Sequence, residues 1–133
     1  MRPASNLYGD TAALSLPQGR RVGQRGHDVA EHYLTSRLEE IGLEPFSGTG
    51  YALTYEGAGH GGTTIRFANL VGVVPGTARD RRPILVGGHY DSVIDAPCSD
   101  DNATAVAVAL AVAEALMREP EESDVVIALF DAE

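Results

Sequence analysis

The sequence predicts an α/β fold, a mixed β-sheet with a parallel βαβ core and flanking helices, and three observations in its C-terminal part predict it. Residues 84–88, Ile-Leu-Val-Gly-Gly, form a short apolar run that reads as a strand. Residues 102–118 are rich in Ala, Val, Leu and Met around most of a helical circumference, so they read as a helix buried on several sides. Residues 125–130, Val-Val-Ile-Ala-Leu-Phe, are uninterrupted apolar sequence, the mark of a central strand covered on both faces. Strand, helix, strand in that order gives a right-handed βαβ unit.

The upstream elements follow from spacing. Residues 1–25 are polar and rich in Gly, Arg and Pro, and read as an irregular lead-in. A helix is expected from Asp28, whose carboxylate and Glu31 form a capping-box pattern. Ala30, Leu34, Leu38 and Ile41 recur at helical spacing, and Gly42 is a natural stop. Residues 51–55 alternate and suggest an edge strand, and the glycines from Gly57 to Gly62 suggest a loop. Residues 64–74 are rich in β-branched side chains and end at Pro75-Gly76, so they read as a strand. The strand at residues 83–87 is expected to pair antiparallel with it.

At 133 residues the chain is one domain or part of one. Its formal net charge is −9 and every strong base is arginine, with no basic run, which argues against a nucleic-acid surface. Cys98 is the only cysteine, so no intrachain disulfide can form. The N-terminal residues lead into no apolar segment of signal-peptide type, and no run is long enough to span a membrane. A cytoplasmic protein is the default expectation, and the oligomeric state is left open.

The chemistry gathers at the ends of the strands. In an open parallel sheet, sites form beyond the carboxyl ends of the strands. Gly88-His89-Tyr90-Asp91-Ser92 follows the first strand, Ser99-Asp100-Asp101-Asn102 opens the crossover helix, and Asp131-Ala132-Glu133 follows the second strand. All three segments fall at one rim. A His nitrogen can bind a metal while a carboxylate two residues on fixes the ring from behind. Zinc accepts His nitrogen and carboxylate oxygen, and two zinc ions can share a carboxylate and lower the pKa of a water. A further carboxylate that is not a ligand can then move the proton. On this reading His89 is a ligand, Asp100 a candidate bridge, Asp91 its support and Glu133 the base.

Four blocks, Asn69-Leu70-Val71-Gly72-Val73-Val74-Pro75-Gly76, Gly88-His89-Tyr90-Asp91-Ser92, Asp100-Asp101-Asn102-Ala103 and Phe130-Asp131-Ala132-Glu133, resemble metallopeptidase family 28 in order and spacing. That is the co-catalytic zinc aminopeptidase family, which also includes glutaminyl cyclases. The resemblance implies a zinc exopeptidase-like (phosphorylase/hydrolase-like) fold, of which residues 1–133 would be the N-terminal part. It implies two zinc ions in a complete domain and a peptide substrate. By position it makes His89 and Asp100 metal ligands, Asp91 the carboxylate behind His89, and Glu133 the general base. It also implies a cis peptide between Asp100 and Asp101. Three further ligands of the family pattern have no counterpart in the sequence, so this chain alone is expected to be inactive and to hold zinc weakly. Cys98, Ser99 and Thr104-Ala105 depart from the small residues usual there. Glutaminyl cyclisation and a non-catalytic scaffold are the alternatives.

Other chemistry-bearing residues have plainer readings. Asp101 is expected to anchor the loop, and Cys98 to be a small buried or half-buried thiol. His27, His32 and His60 are expected on the surface, Arg20-Arg21 as a surface ion-paired couple, and Asp131 as at most a support to the site.

Overall fold

The computed structural model describes residues 6–132, so Glu133 lies outside the described residues. Leu7–Leu14 forms α1, Arg25–Ile41 α2, Glu44–Pro45 β1 and Ala52–Ala58 β2. Thr64–Val74 is β3, Ile84–His89 β4, Thr104–Arg118 α3 and Val125–Phe130 β5. A short irregular helical turn, Ser99–Ala103, leads into α3. The expected α/β class holds, with a mixed sheet and flanking helices.

Several expectations are corrected in detail. The lead-in is not wholly irregular, because α1 lies within it. Helix α2 begins at Arg25 after Gln24, which makes no side-chain cap, so the Asp28 box falls inside the helix. Its other end is as expected: Gly42 takes φ 87° and ψ 31°, and its N–H returns to the carbonyls of Leu38 and Glu39. That left-handed conformation costs a residue without a Cβ little.

The sheet order is β1-β3-β5-β4, with β2 also on β3. Strand β5 pairs parallel with β4 and antiparallel with β3. The expected antiparallel pairing of β4 with β3 is therefore wrong. The crossover through α3 brings β5 back between them, because the strand with the longest apolar run takes the position covered on both faces. Strand β4 is an edge of the sheet, with Ile84 and Leu85 more than half exposed.

Two apolar layers flank the sheet. Leu70, Val74, Val125, Ile127 and Leu129 face the helices and pack with Leu34 and Leu38 of α2 and Val106, Ala109 and Leu110 of α3. Val71, Val73, Val126 and Ala128 point the other way, with Leu53 against them. Beside them lies a shallow apolar groove of about 380 Å³, bordered by Phe46, Ile84, Leu85 and Phe130. Alternation along β3 and β5 produces this division.

The three helices are also tied through a buried acid. Asp10 of α1 is 1% exposed. Its carboxylate accepts from the Tyr33 hydroxyl (2.5 Å) and from Nε of Arg37 (2.8 Å), both on α2. Arg37 also donates to Glu114 of α3. Burial and the Asp10 hydrogen bond push the Tyr33 phenol well up, so it stays a donor. Asp10→Ala is expected to cost about 1–3 kcal/mol, the penalty for stranding buried donors. Urea unfolding would check this, and a loss below about 0.5 kcal/mol would show the network to be neutral.

Among the described residues, no helix is long and apolar enough to cross a membrane.

Candidate metal centre at the strand ends

Parallel register sets the site. His89 is level with Phe130, and the Tyr90 N–H donates to the Phe130 carbonyl at 2.9 Å. The segments after β4 and β5 therefore leave the sheet side by side. The Ser99–Ala103 turn lies at the same rim because α3 starts there and runs back along the sheet.

The His89 ring is mostly enclosed, its side chain 16% exposed. Nε2 lies 3.1 Å from Oδ1 of Asp101, and Nδ1 lies 3.4 Å from Oδ1 of Asp91 and 3.3 Å from its carbonyl. Asp91 is buried, whereas Asp101 is largely exposed. One imidazole thus has a buried carboxylate behind it and an accessible carboxylate in front. The front separation suits a shared metal: two bonds of about 2.0–2.1 Å at a tetrahedral angle put their donor atoms about 3.3 Å apart. The rear contact has the form of the outer support by which metal-binding histidines fix ring orientation.

The neighbour of the ring differs from the expected one by a single position. The structure brings Asp101 rather than Asp100 to the imidazole, and Asp100 is exposed. The non-proline cis peptide is at Asp101–Asn102, not at Asp100–Asp101. Two adjacent aspartates cannot be told apart by spacing, and the irregular turn, with Asp101 at φ −137° and Asn102 at φ −139°, decides which one faces the ring. The convergence expected of Glu133 with His89 concerns a residue outside those described. Among the described residues, no group of three or more His, Cys, Asp or Glu side chains could hold a metal ion.

Two residues expected at the surface are instead built in beneath the rim. His27 of α2 is 2% exposed, and its Nε2 meets Oδ1 of Asp131 at 2.8 Å. The Tyr90 ring stacks on His27, with centroids 5.3 Å apart. The other Asp131 oxygen accepts the Ala68 N–H at 2.8 Å, and the Tyr90 hydroxyl donates to the Ala68 carbonyl at 2.7 Å. The Asp131 backbone is held as well: its N–H donates to Oδ1 of Asn69 and its carbonyl accepts from the Tyr55 hydroxyl. Burial alone would push the His27 imidazole down, but the Asp131 hydrogen bond and charge, with Glu31 and Asp28, more than reverse this and raise it. Burial, aided by the Asp131 charge, pushes the Tyr90 phenol far up.

Arg20 is the other, fully buried at 0% exposure, while Arg21 does pair at the surface with Asp95. Cys98 is half-buried as expected, with φ 45°. A signal for His27 was present, since it stands three residues before Ala30 and extends the stripe through Leu34 and Leu38. Asp131 carried one too, because alternate residues at a strand end share a face. Arg20 lay in a Gly- and Arg-rich stretch with no period to read.

Residues 69–133 match the sequence model of Peptidase family M28. No curated protein matches the chain. Among solved structures, a glutaminyl cyclase of Macrostomum lignano superposes with a TM-score of 0.78 at 23% identity, over 96% of this chain and 37% of that one. A glutaminyl cyclase of Porphyromonas gingivalis gives 0.78 at 22% identity, over 98% and 46%. A Zn-dependent exopeptidase of Parabacteroides distasonis gives 0.70 at 20% identity, over 100% and 49%. The chain therefore spans less than half the length of these structures, and at such identities they establish the fold alone. The resemblance read from the four sequence blocks is thus borne out: residues 69–133 match Peptidase family M28, and the fold is shared with glutaminyl cyclases and a Zn-dependent exopeptidase.

Proposed function

We propose that this chain supplies part of the active site of a zinc-dependent exopeptidase acting on the N-terminal bond of peptides. The observation that carries the reading is the His89 ring set between Asp91 and Asp101 at metal-ligand spacing. His89 and Asp101 would hold zinc, and Asp91 would keep Nδ1 of the ring from competing orientations. Bound zinc supplies Lewis acidity and an activated water. Glu133 would take the proton from the attacking water and return it to the leaving amine.

Glutaminyl cyclisation is the second reading, favoured by the cyclases among the structures sharing the fold. An acidic residue directly after the bridging aspartate would have spoken for the peptidase. With Asp101 in that role the next residue is Asn102, so this discriminator falls away, and the Zn-dependent exopeptidase among the structures sharing the fold supports the peptidase.

Zinc titration of the 133-residue chain by calorimetry tests the ligand assignment. His89→Ala and Asp101→Asn should each weaken binding by more than the roughly 10–100-fold cost of losing an outer support. Asp100→Asn should leave affinity within about twofold of the parent, given its exposed position. An effect of Asp100→Asn larger than that of Asp101→Asn would reverse the assignment. In a chain extended to the length of the solved structures, hydrolysis of an aminoacyl anilide against cyclisation of a glutaminyl amide separates the two reactions.

A further inference from the structure

We infer that Arg20 is a positioning residue that clasps the two ends of the loop after β4 and thereby sets the approach of Asp101 to His89. The guanidinium reaches main-chain oxygens on both sides of that loop. Nε donates to the Tyr90 carbonyl at 2.6 Å, Nη1 to the Pro97 carbonyl at 2.7 Å and Nη2 to the Cys98 carbonyl at 3.1 Å. Nη1 also donates to the Leu14 carbonyl at the end of α1. The main chain of Arg20 joins in: its N–H donates to Oγ of Ser92 at 2.7 Å, and its carbonyl accepts the Ser92 N–H at 3.1 Å.

Tyr90 adjoins His89, and Cys98 is three residues before Asp101. Fixing the Tyr90 and Cys98 carbonyls on one rigid planar fork therefore fixes where the two metal-facing groups emerge. Five N–H donors in a fixed geometry can do this, and the three of an ammonium on a flexible stem cannot reproduce it. Close packing admits no substitute at the neighbouring position either. Gly19 has φ 75°, and a Cβ there would lie 2.6 Å from the Ile94 carbonyl oxygen in the same loop. Among the described residues, no carboxylate hydrogen-bonds the guanidinium. Its charge is spent on main-chain carbonyls. A surface ion pair would not be built this way.

The geometric part stands on contacts alone, and its consequence for metal binding rests on the zinc reading above. The test compares the 133-residue chain with Arg20→Lys, Arg20→Ala and the milder Ser92→Ala. Leu34→Ala, in the α2 core away from the loop, controls for general loss of stability. Amide hydrogen exchange and zinc affinity are measured on each. Arg20→Lys should accelerate exchange at residues 90–103 while leaving β3 and β5 protected. It should weaken zinc binding by about 10–100-fold, the range for outer supports. Millimolar guanidinium, but not equal sodium chloride, should recover affinity in Arg20→Ala. Ser92→Ala should act in the same direction with smaller size, and it keeps the test open if the Arg20 variants do not fold. The inference is overturned if loop exchange in a folded Arg20 or Ser92 variant matches the parent. It is also overturned if the loop loosens without any change in zinc affinity, or if Leu34→Ala reproduces both effects. Should the parent chain bind no zinc, affinities are measured in a chain extended to the length of the solved structures; absence of zinc there overturns the zinc reading, while loop exchange decides the clasp.

Discussion

Asp131→Ala is expected to lower stability by about 3–5 kcal/mol, the cost of stripping one partner from a buried ion pair. The carboxylate is fully enclosed and serves His27 and the Ala68 N–H together, so its removal strands a buried imidazole and a backbone donor at once. Domains have only about 5–15 kcal/mol in total, so the variant should unfold at much lower urea. His27→Gln should cost less, because an amide can still donate to Asp131. The pair also gives a pH dependence of definite sign. Because His27 is raised in the folded chain, the stability it contributes is complete below the unfolded imidazole value, about 6.5. It is lost as pH rises through the higher folded value. The parent should therefore weaken on going from mildly acidic to alkaline pH by more than His27→Gln does. Equal slopes in the two proteins, or a cost for Asp131→Ala below about 1 kcal/mol, would show that the pair does not act as an ion pair.

Glu133→Gln should keep zinc and lose about 10²–10⁴-fold in kcat, the usual contribution of a placed proton carrier. The amide matches the carboxylate in shape but cannot take a proton from water. The comparison belongs in a chain extended to the length of the solved structures and loaded with zinc. His89→Ala in the same background should fail at metal binding instead, so zinc content separates the two lesions. The 133-residue chain by itself should show no zinc-dependent hydrolysis, since His89 and Asp101 fall short of the three protein ligands typical of catalytic zinc. Full activity of Glu133→Gln would remove the residue from proton transfer. Robust hydrolysis by the 133-residue chain would mean that two protein ligands suffice.

The parts of the fold that were legible in the sequence are those in which burial writes a period. Residues 125–130 read as a central strand, α3 as a buried helix, and the left-handed stop at Gly42 followed from its lack of a Cβ. Pairing was less accessible. Nothing in the composition of β4 says that β5 will come between it and β3, because that is a decision of the crossover. The site shows the same split. The closeness of Asp91 to His89 could be read because a strand end fixes their spacing, whereas which aspartate of the pair meets the ring could not, because the turn before α3 follows no repeat. His27 and Arg20 were misplaced through residue type, since arginine and histidine are taken as surface residues unless a partner is known. Their partners, Asp131 and a set of carbonyls, lie far away in sequence.

The level finish of β4 and β5 has a consequence for how the chain length can vary. Each residue of one strand is matched with one of the other, from Ile84 with Val125 to His89 with Phe130. Inserting one residue within either strand would turn everything beyond it to the opposite face. Asp131 would swing away from His27, or His89 away from Asp101, while most apolar contacts could still be remade. At the far end of the sheet, the exposed Glu119–Pro120 connection can lengthen without shifting that match. The gene can therefore drift in length at one end of this sheet and is held to a fixed count at the other.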